Sequence, residues 1–181
     1  MVVCGPGGVG KGTVATRLSE VVHDLTLSRS WTTRQRRDGE SEGAYTFVSR
    51  KAFEEARDRG VFYEWAEFNG ELYGTPNAEL APHGDLLLEI DVQGAESVRA
   101  RDHDALIVLL LPPSMDDLEA RMRNRGDHPD KIAERLAIAN AEIVRARKVC
   151  DVEVVNQDVE EAVRMISTII DEARSQGRVQ D

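Results

Sequence analysis

GPGGVGKGT, residues 5–13, follows the apolar stub MVVC at residues 1–4 and precedes Val14, Leu18 and Val21 or Val22, which recur at the spacing of one helical face. The order is strand, glycine loop, helix. Gly5, Gly10 and Lys11, with four residues between the two glycines, fit the loop that surrounds nucleotide phosphates with backbone N–H groups and a lysine. A polyphosphate needs several donors aimed at one point, and the unpaired amides of a helix N-terminus supply them along with the helix dipole. Five glycines in residues 5–12 let the backbone approach without side-chain clash and adopt positive φ. Pro6, Gly7, Gly8 and Val9 complete the loop. Gly12 stands where a magnesium-binding hydroxyl is usual, and Thr13 follows one place later. Magnesium is therefore expected to be held largely by nucleotide oxygens and water, near Thr13 and Asp91. The plainer reading is a glycine turn with an incidental lysine, but lysine is scarce: Lys11, Lys51, Lys131 and Lys148 stand against nineteen arginines.

Outward from the loop, Leu86 to Ile90 and Ala105 to Leu111 are apolar without alternation, which suits strands covered on both faces of a parallel sheet. Tyr45 to Val48 and Val152 to Val155 read as further strands, and Pro112 and Pro113 stop the chain after Leu111. Ser114 with Asp117 forms a helix-capping signature ahead of Leu118 and Met122. Ile132, Leu136, Ala139 and Ile143 describe one amphipathic helix, and Val159, Val163, Ile166 and Ile170 another. Such alternation predicts an α/β fold, a three-layer core around a parallel sheet. Ser28 to Pro76 breaks the rhythm with arginine, aromatic and glycine residues and a short helix near Lys51 to Arg59. It reads as an inserted mixed α/β lobe with some antiparallel strand. A length of 181 residues predicts one domain, and residues 174–181 read as a frayed polar tail.

Composition narrows the function classes. Apolar residues at 41% and charged residues at 31% exclude a disordered, collagen-like or coiled-coil chain. A net charge of −10 argues against non-specific binding to nucleic acid or anionic lipid, so any basic cluster must be local. The longest apolar run, residues 105–111, falls far short of the ~18 residues needed to span a bilayer. Cys4 and Cys150 lie in apolar stretches without a CxxC motif, and the start lacks a secretory pattern, which predicts a reduced cytoplasmic protein without a disulfide. His23, His83, His103 and His128 match no metal spacing and read as surface or packing residues.

SRSWTTRQRRDGE, residues 28–40, holds Arg29, Arg34, Arg36 and Arg37 and no acid before Asp38. Four guanidinium groups in nine residues of an acidic protein point to a phosphate site, because each offers planar bidentate donation. In FYEWAEFNGELYGTP, residues 62–76, Glu64 lies among Phe62, Tyr63, Trp65 and Phe68; with Glu67 it is either on a solvated helix face or partly buried and in need of donors.

These stretches, followed by LLLEIDVQG at 86–94 and RMRNRG at 121–126, together with YTFVSR at 45–50, resemble the guanylate kinase family in order and over nearly the whole chain. The resemblance implies ATP-dependent phosphorylation of GMP, and of dGMP, with Mg2+ accompanying ATP. It implies a GMP phosphate site of Arg34, Arg37, Tyr45 and Tyr73, with Glu40 supporting Arg37, and a guanine site of Ser30, Glu64 and Thr75. Glu64 makes chemical sense there, since guanine presents N1–H and a 2-amino group to one carboxylate whereas adenine does not. Glu89 and Asp91 are implied between metal and acceptor nucleotide. Arg121, Arg125 and Arg135 match lid arginines that fold over ATP, while Arg123 reads as outer surface. Lys11, Arg34 and the three lid arginines are thus the expected catalytic charges. The implied division is a core of residues 1–27, 77–120 and 136–181, a GMP lobe of 28–76 and a lid of 121–135. Homo-oligomerisation stays open. So do two other functions: a peptide-binding module on the same scaffold, and a kinase for AMP or a sugar phosphate.

Overall fold

The computed structural model describes residues 1–37, 40, 42–68, 70–77 and 84–177. His83 and the end of the expected tail, 178–181, lie outside the described residues. Five parallel strands form the main sheet: β1 (Val2–Cys4), β2 (Leu25–Leu27), β7 (Asp85–Glu89), β8 (Ile107–Leu111) and β9 (Val152–Val155), in the order β2-β7-β1-β8-β9. β1 is central, its Val2 in register with Leu88 on one side and Ile107 on the other.

The non-alternating runs are strands covered on both faces. Val3, Leu87, Val108, Leu110 and Val154 point into one apolar cluster, and Val2, Cys4, Leu88, Ile107 and Leu109 into another. The first is closed by α1 (Lys11–Val21) and α6 (Val159–Ser175) through Val14, Leu18, Val163, Ile166 and Ile170, and by α4 (Met115–Asn124) through Leu118 and Met122. Val21 is exposed and Val22 packs against the core, which settles the alternative left at the end of that helix. The second is closed by α3 (Val92–Arg101) through Val92, Ala95 and Val98. α5 (Pro129–Ala146) serves both, with Ile132 and Ala139 in the first cluster and Ala146 in the second. Ser114 caps α4, accepting the Asp117 N–H at 3.0 Å, as its spacing predicts.

Residues 31–76 build a smaller sheet, β4-β3-β6-β5, from β3 (Trp31–Thr32), β4 (Thr46–Phe47), β5 (Phe62–Phe68) and β6 (Glu71–Pro76). β3 pairs antiparallel with β6, as does β5, while β3 and β4 run parallel. α2 (Arg50–Asp58) lies against this sheet: Phe53 stacks on Phe62 with ring centroids 4.4 Å apart, and Trp31 meets Phe62 edge-on at 5.5 Å. Glu64 and Glu67 are therefore on a strand and not on a helix face. Alternation along β5 turns Glu64 inward and Glu67 outward.

The turn from β1 into α1 is fixed by backbone contact. Gly5 has φ +145°, and a Cβ there would sit 2.3 Å from the Leu110 carbonyl oxygen in the adjacent strand. Gly5→Ala is expected to cost at least about 2 kcal/mol, read as a lowered denaturant midpoint at unchanged slope. An unaltered midpoint would mean that the loop has room to shift.

Candidate functional site

The phosphate loop lies at the carboxyl end of β1, where an open parallel sheet presents its crevice. Gly8 and Gly10 both have positive φ, at +95° and +98°, and Gly10 caps α1 in the left-handed conformation. Lys11, the first helical residue, folds back so that Nζ donates to the carbonyls of Gly5 at 2.8 Å and Pro6 at 3.3 Å. The loop is braced from behind. Val9 O accepts from Asn156 Nδ2 at 2.9 Å and Arg121 Nη1 at 3.1 Å, and Arg121 Nη2 donates to Asn156 O at 2.6 Å.

A cleft of about 620 Å³ extends from this loop to the smaller sheet, a volume in the range of small-molecule sites. Gly5, Gly7, Gly8, Gly10, Lys11, Gly12 and Thr13 line one end. Ser30, Arg34, Arg37, Glu40, Tyr45, Glu64 and Tyr73 line the other, with Glu89 and Asp91 between. Arg125 and Arg135 also reach the cleft, whereas Arg121 does not, being committed to Val9 and Asn156. Pro6 and Val9 stay buried in the loop's own framework, and Thr75 acts from behind Glu64.

At the far end Glu64 is 6% exposed. Its Oε1 accepts from the Thr75 hydroxyl at 2.6 Å and the Thr75 N–H at 3.2 Å, and Ser30 Oγ lies 3.5 Å from Thr75 Oγ1. Burial pushes this carboxyl up to about 7, against the pull of the Thr75 donors. Glu64 lines the cleft, and a buried carboxylate there can accept from donors on a ligand. Gly94 makes the space: a Cβ there would lie 2.9 Å from Glu64 Oε2.

Of the arginines in residues 28–40, Arg34 and Arg37 are held together through Glu40, whereas Arg29 bonds the Glu42 and Tyr45 carbonyls and Arg36 pairs with the Glu42 carboxylate at the surface. Arg34 and Glu40 form a bidentate pair at 2.7 and 3.0 Å, and Glu40 Oε2 also accepts the Arg37 N–H at 3.0 Å. Burial opposes ionisation of Glu40, but the Arg34 and Arg37 donors together keep its carboxyl below the ordinary range. The Arg34 guanidinium sits 5.5 Å from the Tyr45 ring centroid. Burial, and then the positive charges of Arg34, Arg125 and Arg135, push Arg37 below its ordinary value. Like charges gathered from the lobe and from the α4–α5 junction mark a place built for an anion. Asp127 joins that cluster, bonding Arg125 and accepting from Arg135 Nη1 at 2.6 Å.

Between the two ends, Tyr45 donates to Glu89 Oε2 at 2.8 Å, and the Glu89 charge, then burial, raise the phenol well above its ordinary range. Asp91 caps α3 through the Gly94 N–H at 2.8 Å, while its Oδ2 is buried with no hydrogen-bond partner among the described residues. No group of three or more His, Cys, Asp or Glu side chains able to cage a metal occurs among the described residues. His23, His103 and His128 are exposed. The cysteines are free, and burial pushes the Cys4 thiol up to about 12, which leaves it unreactive.

The guanylate kinase family model matches residues 1–173. The chain belongs to the guanylate kinase family. It is 40% identical to guanylate kinase of Prochlorococcus marinus strain NATL2A over 171 residues, covering 91% of each chain. It is 45% identical to that of Nitratidesulfovibrio vulgaris strain Hildenborough over 168 residues, covering 90% of this chain and 81% of the relative. A crystal structure of guanylate kinase from Anaplasma phagocytophilum superposes with a TM-score of 0.78 at 34% identity, covering 94% of this chain and 83% of the other. No helix among the described residues is long and apolar enough to cross a membrane.

Sequence reasoning missed three residues of the site: Gly94, Asp127 and Asn156. Gly94 carried a signal, since it stands three places after Asp91, the spacing at which an N-cap carboxylate meets a backbone amide. Asn156 and Asp127 act through contacts 147 and 8 residues away in the chain, and no local pattern marks them.

Proposed function

We propose that this chain transfers the γ-phosphoryl group of ATP to GMP or dGMP, giving ADP and the guanosine diphosphate. The observation that carries this reading is Glu64: a buried carboxylate backed by Thr75, at the end of the cleft opposite the phosphate loop. Guanine N1–H and the 2-amino group satisfy it, and adenine leaves it unpaired.

In this reading the loop amides and Lys11 take the ATP phosphates, while Arg34, Arg37, Tyr45 and Tyr73 take the GMP phosphate, with Glu40 fixing Arg34 and Arg37. The acceptor needs no general base, because a phosphate monoester with a second pKa near 6 is already largely a dianion at neutral pH. The protein's work is alignment and neutralisation. An acceptor oxygen, the γ-phosphorus and the leaving oxygen come into line, and Lys11, Arg34, Arg125 and Arg135 balance charge spreading over the equatorial oxygens. Arg121 acts by bracing the loop. Thr13, Glu89 and Asp91, whose Oδ2 has no partner among the described residues, fit a Mg2+ that arrives with ATP and keeps most of its waters, as that ion prefers. When bound, Mg2+ supplies charge neutralisation at the phosphates. The lobe of residues 28–76 and the lid of 121–135 close toward the core of residues 1–27, 77–120 and 136–181, excluding water that would otherwise take the phosphoryl group.

The test is steady-state ADP release with GMP, dGMP, AMP and ribose bisphosphate as acceptors. Turnover with GMP and dGMP and a kcat/KM for AMP lower by about 10⁴-fold is expected. Equal rates with AMP would remove the guanine assignment, and no transfer to any acceptor would favour a peptide-binding module.

A further inference from the structure

Asp127 is placed by the backbone that ends α4. Gly126, at φ +83°, turns the chain; its N–H donates to the Arg123 carbonyl at 2.9 Å, and the Asp127 N–H donates to the Met122 carbonyl at 3.1 Å. This pair of bonds is one that closes a helix C-terminus. His128 then caps α5 and Pro129 opens it, so Asp127 is gripped between two helix ends. A carboxylate just past the end of α4 faces the negative pole of that helix and gains nothing from it. Among the described residues its side chain bonds no amide of α5 either, only two arginines.

Both of those arginines line the cleft. Oδ1 accepts from Arg125 Nε at 3.2 Å, while Oδ2 accepts from Arg125 Nη2 and, at 2.6 Å, from Arg135 Nη1. The side chains of Asp127 and Arg135 are 12% and 16% exposed, so this is not one of the solvent-screened pairs that contribute little. A guanidinium carries five N–H donors, and one carboxylate uses only part of each. Arg125 Nη1 and Arg135 Nη2 make no bond among the described residues, and Arg135 Nε is buried without a partner there. The Arg135 stem passes the phosphate loop, since a Cβ on Gly7 would lie 3.8 Å from its Cδ. Two like charges are thus held side by side next to the loop, each with donors unspent.

We propose that Asp127 is a positioning residue, clamping Arg125 and Arg135 by one edge each so that their remaining N–H groups converge on phosphate oxygens at the loop. The inference rests on the kinase reading for its effect on transfer, whereas its effect on ATP affinity is measurable without an acceptor.

The sign of one substitution separates positioning from bulk charge. Asp127→Ala makes the junction more positive, which by charge alone, or by releasing arginines that the carboxylate merely occupied, tightens ATP. Loss of a clamp weakens it. The calorimetric ATP dissociation constant is expected to rise about tenfold in Asp127→Ala, and kcat to fall about tenfold with KM for GMP within about twofold. In a chain already carrying Arg125→Ala and Arg135→Ala, adding Asp127→Ala is expected to cause no further loss of ATP affinity, because the carboxylate acts only through those side chains. ATP affinity unchanged or improved by Asp127→Ala alone, or a further loss of about tenfold in the chain lacking both arginines, would overturn the proposal. If Asp127→Ala does not fold, Asp127→Asn decides by the same scheme: a loss of at least about threefold that vanishes without the two arginines supports the clamp, and parent-like affinity or a persisting loss overturns it. A parent that binds ATP without phosphorylating GMP or dGMP would instead defeat the kinase reading, and the affinity series would still judge Asp127.

Discussion

Glu64→Gln is expected to lower kcat/KM for GMP by about 10³-fold while leaving ATP affinity within about twofold. The glutamine carbonyl oxygen can still accept from Thr75, which bonds Glu64 Oε1, so the hairpin of β5 and β6 keeps its internal contacts. The other position becomes an N–H₂ group facing guanine donors. Two donors then meet without an acceptor between them, and a buried mismatch is more costly than an absent bond. Stability moves the other way. Burial holds the Glu64 carboxyl up to about 7, well above its ordinary value of 4.5, so the fold favours the protonated form. Its ionised form penalises the empty protein fully at pH above about 7, and that penalty disappears as pH falls through 7 toward 4.5. Glu64→Gln is therefore expected to stabilise the empty protein at pH 8, by up to about 3 kcal/mol, with the gain vanishing near pH 5. The same carboxyl sets a pH dependence in the parent: kcat/KM for GMP falls about tenfold from pH 7 to pH 6, whereas in the variant the fall begins only near pH 6, where the GMP phosphate itself protonates. GMP turnover equal to the parent's, or a variant less stable at pH 8, would place the base elsewhere.

Lys11→Met is expected to reduce single-turnover phosphoryl transfer by about 10³-fold with the fold intact. The ammonium is held by the Gly5 and Pro6 carbonyls, within the loop to which the proposed function assigns the ATP phosphates. Moving it to the phosphate oxygens exchanges two neutral acceptors for a charged one, a gain concentrated where charge builds up during transfer. Lys11→Arg is not expected to rescue the loss, because a planar fork does not fit a pocket shaped around a compact ammonium. Rapid-quench measurement at saturating ATP and GMP separates chemistry from binding. A rate within tenfold of the parent would assign the neutralising role to the arginines alone.

The two effects differ in how visible they were in the chain. The phosphate loop was legible because its backbone conformation is written in glycines at fixed spacing, between a strand and a helix whose apolar residues announce themselves. β7 and β8 were legible for the same kind of reason, as runs buried on both faces. β5 was not, although it has the longest strand in the smaller sheet. Its inward positions include Glu64 and its outward ones Trp65, 43% exposed, so the usual alternation is inverted at the residue to which the proposed function assigns the base. α5 shows the same conflict: the apolar pattern selects Ile143, whereas the buried stripe runs through Glu142. Local apolar patterning gives way where an acidic side chain is buried. The Arg34–Glu40 pair was foreshadowed by resemblance, which had assigned Glu40 to Arg37; the carboxylate serves both, through the side chain of one and the backbone of the other. Asn156 could not be read at all, since its partner, Val9, is joined to it only by the folding of β9 beside β8.

For transfer between two nucleotides, the loop around Lys11 and the pocket of Arg34, Arg37 and Glu64 must open into one cleft at the separation of two nucleosides joined by a phosphate chain. Adenosine and guanosine linked through five phosphates span that distance and bind both ends at once. Titration calorimetry is expected to give one molecule bound per chain, at least about 10²-fold tighter than ATP or GMP alone. Weakening by either Glu64→Gln or Lys11→Met is also expected. Affinity no better than that of ATP, or insensitivity to the Glu64 substitution, would contradict a shared cleft.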